Sequence, residues 1–184
     1  MRELSLHILD IVQNSIEAGA SEVILEINED PDSDLFEMII RDNGRGMTPE
    51  MVQGVTDPFV TTRTTRKVGL GIPLFHSAAE QAGGDLVVDS EVGKGTTIRA
   101  NFSHKHIDRA PLGDMVGTIL ALLGSNPRME LVYRHRYKDK EFEFRTEDIR
   151  ETLEDIEISH PMILGWIRNH LQDGLAEIYG GERE

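Results

Sequence analysis

The sequence predicts an α+β fold, a sandwich in which helices cover one face of a mainly antiparallel sheet. Two observations predict it. Through the first 103 residues, segments of helical and strand periodicity follow one another as helix, two strands, short helix, loop, helix and two strands. Within each pair of strands, a short stretch of turn-forming residues joins the two strands, which is typical of an antiparallel hairpin.

The first predicted helix covers residues 4–18. Asp10, Asn14 and Glu17 are separated by four and three positions, so they share one face of this helix. Gly19 stands where a glycine commonly ends a helix. A different face is apolar and consists of Leu4, Ile8, Ile11, Val12 and Ile16. The helix therefore has a face for the core and a separate polar face that can carry chemistry.

The first two predicted strands cover residues 21–28 and 35–41, and the turn-rich stretch 29–34 joins them. Asp42 consequently falls at the end of a buried strand. The following Thr48-Pro49-Glu50 has the N-cap, the first-position proline and the acidic first turn of a short helix.

Residues 55–69 show no clear period, and we predict a loop there. A helix over 71–82 follows and ends at a Gly-Gly pair. The next two strands cover 85–90 and 96–102, with a glycine-containing turn at 91–95 between them.

The composition changes at residues 103–111, and we predict two parts on either side of that stretch. Residues 1–103 form one domain, and residues 104–184 form a C-terminal extension. The extension is predicted to begin with a helix over about 112–123 and a hairpin with strands over about 129–137 and 141–145. Two further helices follow, one that begins near residue 146 and one over about 161–178.

The composition also restricts the possible functions. A formal net charge of −14 over 184 residues argues against broad binding to nucleic acid or to an anionic membrane, because both need basic surface. The chain has no apolar run of membrane-spanning length and no apolar signal-peptide core at its N-terminus. Cysteine is absent, which excludes disulfides, thiolate catalysis and cysteine-ligated metals. We therefore expect a cytoplasmic protein.

Four short motifs follow one another in a fixed order. Taken singly, each has an ordinary explanation: a polar helix face, an Asn-Gly turn, a flexible loop end and a hairpin turn. A chance series in this order and context is improbable, so together they predict one nucleotide pocket. The motifs are Asp10–Ala18, Asp42–Met47, Gly69–Pro73 and Gly93–Thr96.

The first two motifs supply amide and carboxylate groups. The side-chain oxygen of Asn14 can ligate Mg²⁺ while phosphates and waters fill the other positions. Asp10, one helical turn earlier, can accept a proton from an attacking water or hydroxyl. A buried carboxylate such as Asp42 needs a partner, and the exocyclic amine of adenine is a suitable one. The glycines that follow Asp42 let the backbone approach a flat base closely.

The last two motifs are rich in glycine. Gly69-Leu-Gly71 opens a helix, where backbone N–H groups can face phosphate at the positive end of the helix dipole. The basic cluster at residues 63–67 is either a solvated loop or a group that reaches a γ-phosphate when the loop closes. The hydroxyl of Thr96 can reach the base or a water bound to it.

At these positions the sequence resembles the ATP-binding domain shared by DNA gyrase B, Hsp90, sensor histidine kinases and MutL, the GHKL or Bergerat fold. Asp10–Ala20 resembles the N-box of this superfamily and is similar to its MutL version. Residues 42–47 and 69–74 resemble the two glycine boxes, and residues 57–63 resemble the F-box region of histidine kinases. The resemblance covers roughly residues 1–103 and is closest to a stand-alone histidine-kinase-like ATPase.

The resemblance implies a Bergerat-type sandwich and assigns roles by position. Asn14 would hold Mg²⁺, Asp42 would recognise the adenine N6 amine, and Asp10 aligns with the general-base glutamate of the family. Residues 60–71 would form a lid over the phosphates. The implied cofactors are ATP and Mg²⁺, and the implied ATP-binding residues are Asn14, Asp42, Gly44, Gly46, Met47, Thr62, Arg63, Lys67, Gly69, Leu70, Gly71 and Thr96.

Two departures from the family pattern affect the expected activity. Position 10 is Asp where hydrolysing members usually have Glu, so water activation is expected to be weakened or lost. The upstream helix pair with a phospho-acceptor histidine that a sensor kinase carries has no counterpart here, so we do not expect a complete sensor histidine kinase. We interpret His7 as a local helix residue.

The sequence thus predicts a histidine-kinase-like regulatory protein that binds ATP and Mg²⁺, and it leaves the enzymatic activity open. One hypothesis is phosphotransfer to a protein partner or slow ATP hydrolysis; the alternative is a non-catalytic, ATP-gated interaction module. A protein partner or a homodimer is expected. A mismatch-repair role, suggested by the MutL-like N-box, fits the acidic charge poorly. The extension either packs on the ATP domain or forms a dimer or partner surface, and its His104-x-His106 pair is a weak metal candidate.

Overall fold

A computed structural model of the protein describes residues 3–56, 70–153 and 156–180. Its helices are α1 (Leu4–Glu17), α2 (Pro49–Gly54), α3 (Gly71–Gln81), α4 (Met115–Ser125), α5 (Thr146–Leu153) and α6 (Pro161–Ile178). Its strands are β1 (Glu22–Asp30), β2 (Leu35–Asp42), β3 (Asp85–Glu91), β4 (Gly95–Ser103), β5 (Glu130–Tyr137) and β6 (Lys140–Arg145). Within these ranges no helix is both long and apolar enough to cross a membrane.

The strands form one sheet in the order β3-β4-β2-β1-β5-β6. Neighbouring strands are antiparallel, except that β1 and β5 run parallel. The predicted α+β sandwich with a mainly antiparallel sheet is therefore confirmed. α4 starts about three residues later than the sequence predicts, because Asp114 is its N-cap and accepts a hydrogen bond from the Gly117 backbone N–H at 2.8 Å.

The hydrophobic core lies between one face of the sheet and the helices. Strand residues at every second position are buried there, as in Val23, Leu25 and Ile27 of β1. α1 adds the apolar face that its spacing predicts, and its side chains are at most 2% exposed at Leu4, Ile8, Ile11 and Val12. This contact fixes α1 against the sheet, so the polar face of the helix is directed elsewhere.

The opposite face of the sheet carries charged side chains that pair across neighbouring strands. Glu26 of β1 lies 3.0 Å from Arg134 of β5 and 3.7 Å from Arg41 of β2. Glu37 of β2 lies 3.3 Å from Arg99 of β4. Cross-strand ion pairs of this kind suit a solvent-facing surface. The sheet thus has one face for the helices and one face for water.

Strands from the predicted C-terminal extension join the same sheet. β5 pairs with β1 along its whole length, from Glu22 opposite Glu130 to Glu29 opposite Tyr137. α4 packs on both α1 and α6 and buries Ile119. The predicted boundary after residue 103 falls where β4 ends, and the chain then crosses the helical layer before it returns to the sheet beside β1.

Candidate functional site

Asp42 lies at the end of β2, where the sequence predicts it, and two hydrogen bonds orient its carboxylate. The Ser15 hydroxyl of α1 donates to Oδ2 at 2.7 Å, and the backbone N–H of Gly44 donates to Oδ1 at 2.9 Å. The side chain is half-buried. Each oxygen keeps acceptor capacity for a further donor. The carboxylate is therefore fixed in direction and can still bind a ligand amine.

The two residues that flank Gly44 attach the same loop to the rest of the domain. Asn43 Oδ1 accepts from the backbone N–H groups of Ser21 and Glu22 at 2.9 and 3.0 Å. The backbone N–H of Arg45 donates to the carbonyl of Ala18 at 3.0 Å. The Asp-Asn-Gly-Arg stretch is thus held between the end of α1 and the start of β1, which pre-organises Asp42.

Two glycines allow the second and fourth motifs to meet at backbone distance. Gly46 has φ +67°, and a Cβ atom on it would lie 2.0 Å from the carbonyl oxygen of Glu91. Gly95 has φ +101°, and its Cβ atom would lie 1.9 Å from the carbonyl oxygen of Asp42. Only glycine combines this conformation with so close an approach. The β3–β4 turn consequently forms one wall beside Asp42.

Ser90 connects the residues that the sequence predicts at the adenine end. Its hydroxyl donates to the Gly95 carbonyl at 2.9 Å and accepts from the Met47 backbone N–H at 2.9 Å. The Thr96 hydroxyl lies 2.9 Å away and is then the donor to Ser90, because Ser90 has already used its proton. Thr96 also stands opposite Asp42 in the sheet register. Its oxygen lone pairs are therefore free to accept from a ligand or a water.

The second group of predicted residues meets where α3 begins. A Cβ atom on Gly71 would lie 3.3 Å from Asp10 Cβ and 3.6 Å from Asn14 Nδ2, so the first turn of α3 abuts the polar face of α1. Asp10 is exposed, Asn14 is half-buried and Leu70 is 60% exposed. No side chain of the described residues caps α3. Its first backbone N–H groups therefore remain available at the positive end of the helix dipole.

The two groups of residues are continuous through α1, because Asn14 in the second group precedes Ser15, which binds Asp42 in the first. The described candidate residues thus form one continuous set of contacts along α1, the loop after β2 and the β3–β4 turn. Other candidates from the sequence lie outside the described residues, namely Thr62, Arg63, Lys67 and Gly69.

Two side chains that hydrogen-bond to the candidate residues, Ser15 and Ser90, are missing from the set predicted from the sequence. Ser15 lies inside the first motif, one residue after Asn14, but an isolated serine on a helix has no distinctive pattern. Ser90 stands opposite Thr96 in the β3–β4 hairpin, so the predicted pairing of these two strands could have identified Ser90 as a neighbour of Thr96.

The donor groups present are compatible with Mg²⁺ held in part by a nucleotide. Among the described residues, no group of three or more His, Cys, Asp or Glu side chains is arranged to hold a metal. His104 and His106 do not form a pair, since His104 lies 3.4 Å from Glu29 Oε2 and His106 accepts from the Asp108 backbone N–H. Mg²⁺ commonly takes few protein ligands and completes its shell with phosphates and waters, which suits the single amide of Asn14.

Comparison with known protein families identifies the family to which the chain belongs. Residues 2–106 match the family described as histidine kinase-, DNA gyrase B-, and HSP90-like ATPase. The chain belongs to this family. The resemblance inferred from the four motifs is confirmed, and the matched stretch contains every residue of the candidate site.

Curated relatives include sensor kinases of bacteria. Sensor kinase CckA of Brucella abortus is 33% identical over 87 residues, which are 45% of this chain and 9% of that protein. Sensor histidine kinase ZraS of Escherichia coli is 27% identical over 90 residues, 49% of this chain and 19% of that protein. The chain therefore spans less than a fifth of the length of these relatives.

Among solved structures, the N-terminal domain of a DNA repair protein has a similar fold. The match has a TM-score of 0.50 at 16% identity, and it covers 78% of this chain and 52% of that one. At this identity the likeness concerns the fold alone.

Proposed function

We propose that this protein binds ATP together with Mg²⁺ and acts on the γ-phosphate, either by transfer to a protein partner or by slow hydrolysis. The observation that carries the proposal is the fixed carboxylate of Asp42. It is oriented by Ser15 and Gly44 beside the close backbone approaches that Gly46 and Gly95 allow, inside a stretch that matches an ATPase family.

At the base end, Asp42 accepts a hydrogen bond from the N6 amine of adenine, and Thr96 supports the same edge directly or through a water. Gly44 is buried and Gly46 allows no side chain, so the flat base can lie against backbone. A guanine base presents an oxygen at the position of the adenine amine. It would meet the carboxylate as a second acceptor, so we expect GTP to bind weakly.

At the phosphate end, the exposed first turn of α3 receives phosphate oxygens and Asn14 holds Mg²⁺ through its amide oxygen. When bound, Mg²⁺ neutralises charge on the β- and γ-phosphates. Thr62, Arg63, Lys67 and Gly69 belong to the proposed lid over the same phosphates.

Asp10 is the proposed general base. It removes the proton from a water or a partner hydroxyl while the oxygen of that group bonds to the γ-phosphorus. The bond between the γ-phosphorus and the bridging oxygen breaks, and ADP leaves. Asp10 is exposed on the polar face of α1, where an attacking group can reach its carboxylate.

A second function, a non-catalytic module gated by ATP, is favoured by the same residue. Aspartate is one methylene shorter than the glutamate usual in hydrolysing members, so its carboxylate reaches less far from the helix. In this alternative, ATP and Mg²⁺ order the lid and set the affinity for a protein partner or for a second copy of the chain.

Phosphate release and label transfer from γ-labelled ATP distinguish the two functions. We expect slow release by the wild type, loss of release with unchanged ATP affinity in Asp10→Asn, and faster release in Asp10→Glu. Glu17→Gln, also on the exposed part of α1, is the matched control. Binding without release or transfer in wild type and Asp10→Glu alike would favour the non-catalytic module.

A further inference from the structure

A cavity of about 730 Å³ lies between the end of β1, β5, α6 and the segment that leads into α4. None of the residues proposed for the nucleotide pocket lines it. Its floor includes Glu29 and His135, which are 8% and 0% exposed, whereas Asp114 and Gln172 at its edge are exposed. Its volume is in the range of small-molecule sites, and its edge is open to solvent.

Hydrogen bonds hold the carboxylate of Glu29 at the cavity floor. His135 Nε2 donates to Glu29 Oε1 at 2.8 Å, and the Tyr179 hydroxyl donates to the same oxygen. His135 Nδ1 accepts from the Tyr133 hydroxyl at 2.6 Å. The Tyr179 hydroxyl also lies 3.0 Å from His135 Nε2, so the two side chains meet at the same carboxylate oxygen. This network fixes the direction of the carboxylate.

The carboxyl group is ionised at neutral pH. Burial opposes ionisation, but hydrogen bonds from His135 and Tyr179, the Coulombic attraction of His135 and a hydrogen bond from His104 outweigh it and lower the pKa of Glu29 below its ordinary value. Burial also raises the pKa of Tyr133 and of Tyr179, so both phenols keep their protons and remain donors. A negative charge therefore lies at the bottom of the cavity.

This charge has no lysine or arginine partner among the described residues, because only His104 and His135 lie within ion-pair distance of it. Arg109 lines the cavity, but its Nε donates to the carbonyl of His104 at 2.8 Å and its guanidinium lies 4.7 Å from the centre of the Phe36 ring. Glu29 Oε2 has a single long contact, 3.4 Å to His104, and keeps acceptor capacity. Buried charges are normally paired, so the cavity favours a cation.

The rest of the lining suits an ammonium group attached to an apolar body. The rings of Tyr137 and Tyr179 both border the cavity, with centroids 4.9 Å apart, and tyrosine faces attract ammonium groups. Asp114 adds a second carboxylate at the edge. Much of the remaining wall is aliphatic, formed by Leu112, Met115, Val116, Leu175 and Ala176.

We propose that this cavity binds a small organic cation, with its ammonium group at Glu29 Oε2 and its apolar body along the aliphatic wall. The site is separate from the nucleotide pocket and is formed jointly by β1 from the ATPase-family stretch and by β5 and α6 from the extension.

Calorimetric titration of the full chain with three ligands of similar shape tests the charge preference. Benzylammonium should bind saturably, benzyl alcohol should bind about tenfold more weakly or worse, and benzoate should not bind. Equal or tighter binding of the alcohol or of benzoate would overturn the proposal. So would the absence of saturable benzylammonium binding.

Two variants test the location. Glu29→Gln keeps the shape of the side chain and removes its charge, so benzylammonium affinity should fall about tenfold or more. Ala176→Phe adds a ring to the cavity wall and leaves every residue of the Glu29 network unsubstituted, so it should abolish binding even if Glu29→Gln fails to fold. Glu141→Gln on the outer face of β6 is the matched control and should bind as the wild type does. A folded Glu29→Gln or Ala176→Phe variant with wild-type affinity would contradict the assignment.

Discussion

Two serines orient the polar groups of the proposed adenine pocket. Ser15 aims Asp42 from α1, and Ser90 aims Thr96 while it also ties Met47 to the turn. A serine hydroxyl has one proton and two lone pairs, so each contact constrains the others. The direction in which Asp42 and Thr96 present free lone pairs thus follows from these two serines.

His7 makes the stability of the fold depend on pH. Its side chain is 1% exposed, and its ring stacks on Phe75 with centroids 5.0 Å apart. Burial is the main cause that lowers the pKa of His7 from 6.5 to about 4. Protonation therefore favours the unfolded chain. The contribution of neutral His7 to the free energy of unfolding is complete above pH 6.5 and is lost as the pH falls toward 4.

We expect His7→Leu to reduce this pH dependence. Between about pH 7.5 and pH 5, the free energy of unfolding of the wild type should fall by about 2 kcal/mol more than that of the variant. Urea unfolding of both proteins at the two pH values measures the difference. Parallel pH dependences would show that His7 is not the group responsible.

The junction between the β3–β4 turn and the loop after β2 requires glycine for two separable reasons. Gly46 and Gly93 both have positive φ, +67° and +80°. A Cβ atom at Gly46 would collide with the backbone of Glu91, whereas at Gly93 it would have no atom within 4 Å. Comparing the two positions separates the cost of the backbone conformation from the cost of the close approach.

Gly93→Ala should therefore lower the free energy of unfolding by only about 1 kcal/mol and leave ATP binding intact. Gly46→Ala should cost about 3 kcal/mol or more and weaken ATP binding, because the β3–β4 turn must move away from Asp42. Chemical unfolding and nucleotide titration of both variants test this. Equal costs at the two positions would mean that the close approach is unimportant.

The extension completes the sheet on which the ATPase-family stretch depends. β5 covers the edge of β1, α4 covers α1, and Tyr179 of the last helical turn reaches Glu29 of β1. Without these partners, β1 would present a free edge and apolar surface of α1 would face water. We propose that residues 104–184 act as a structural extension of the ATP domain.

Removal of residues 105–184 should therefore abolish cooperative unfolding of the remaining fragment and promote its aggregation. Size-exclusion chromatography and amide NMR spectra compare the fragment with the full chain. A monomeric fragment with dispersed resonances and full ATP affinity would show instead that the first part folds alone.

The fold was largely predictable because its signals are local. The apolar spacing of α1 and the turn-rich links of the two N-terminal hairpins are contained within short windows of sequence. The parallel pairing of β5 with β1 was not predicted, because it joins residues more than 100 positions apart and no short motif encodes it. The Glu29 cavity was not predicted for the same reason, since its polar residues come from β1, β5 and α6.

The same difference between local motifs and contacts across elements determines which residues of the candidate site were predictable. The sequence predicted Asp10, Asn14, Asp42 and Thr96 from motifs; in the fold, Asp10 and Asn14 lie beside the start of α3, and Asp42 stands opposite Thr96 in the sheet. The supporting hydroxyls of Ser15 and Ser90 depend on which side chain faces them across elements, which a single sequence does not display.

ATP binding at Asp42 is the central claim, and calorimetric titration tests it most directly. The wild type and Asp42→Asn are titrated with ATP, with and without Mg²⁺, alongside Asp89→Asn, which removes an exposed carboxylate from β3. We predict Mg²⁺-dependent binding by the wild type and the control, and affinity about tenfold lower or worse in Asp42→Asn, whose amide cannot accept at both positions. Wild-type affinity in a folded Asp42→Asn variant, or no ATP binding by the wild type, would contradict the account.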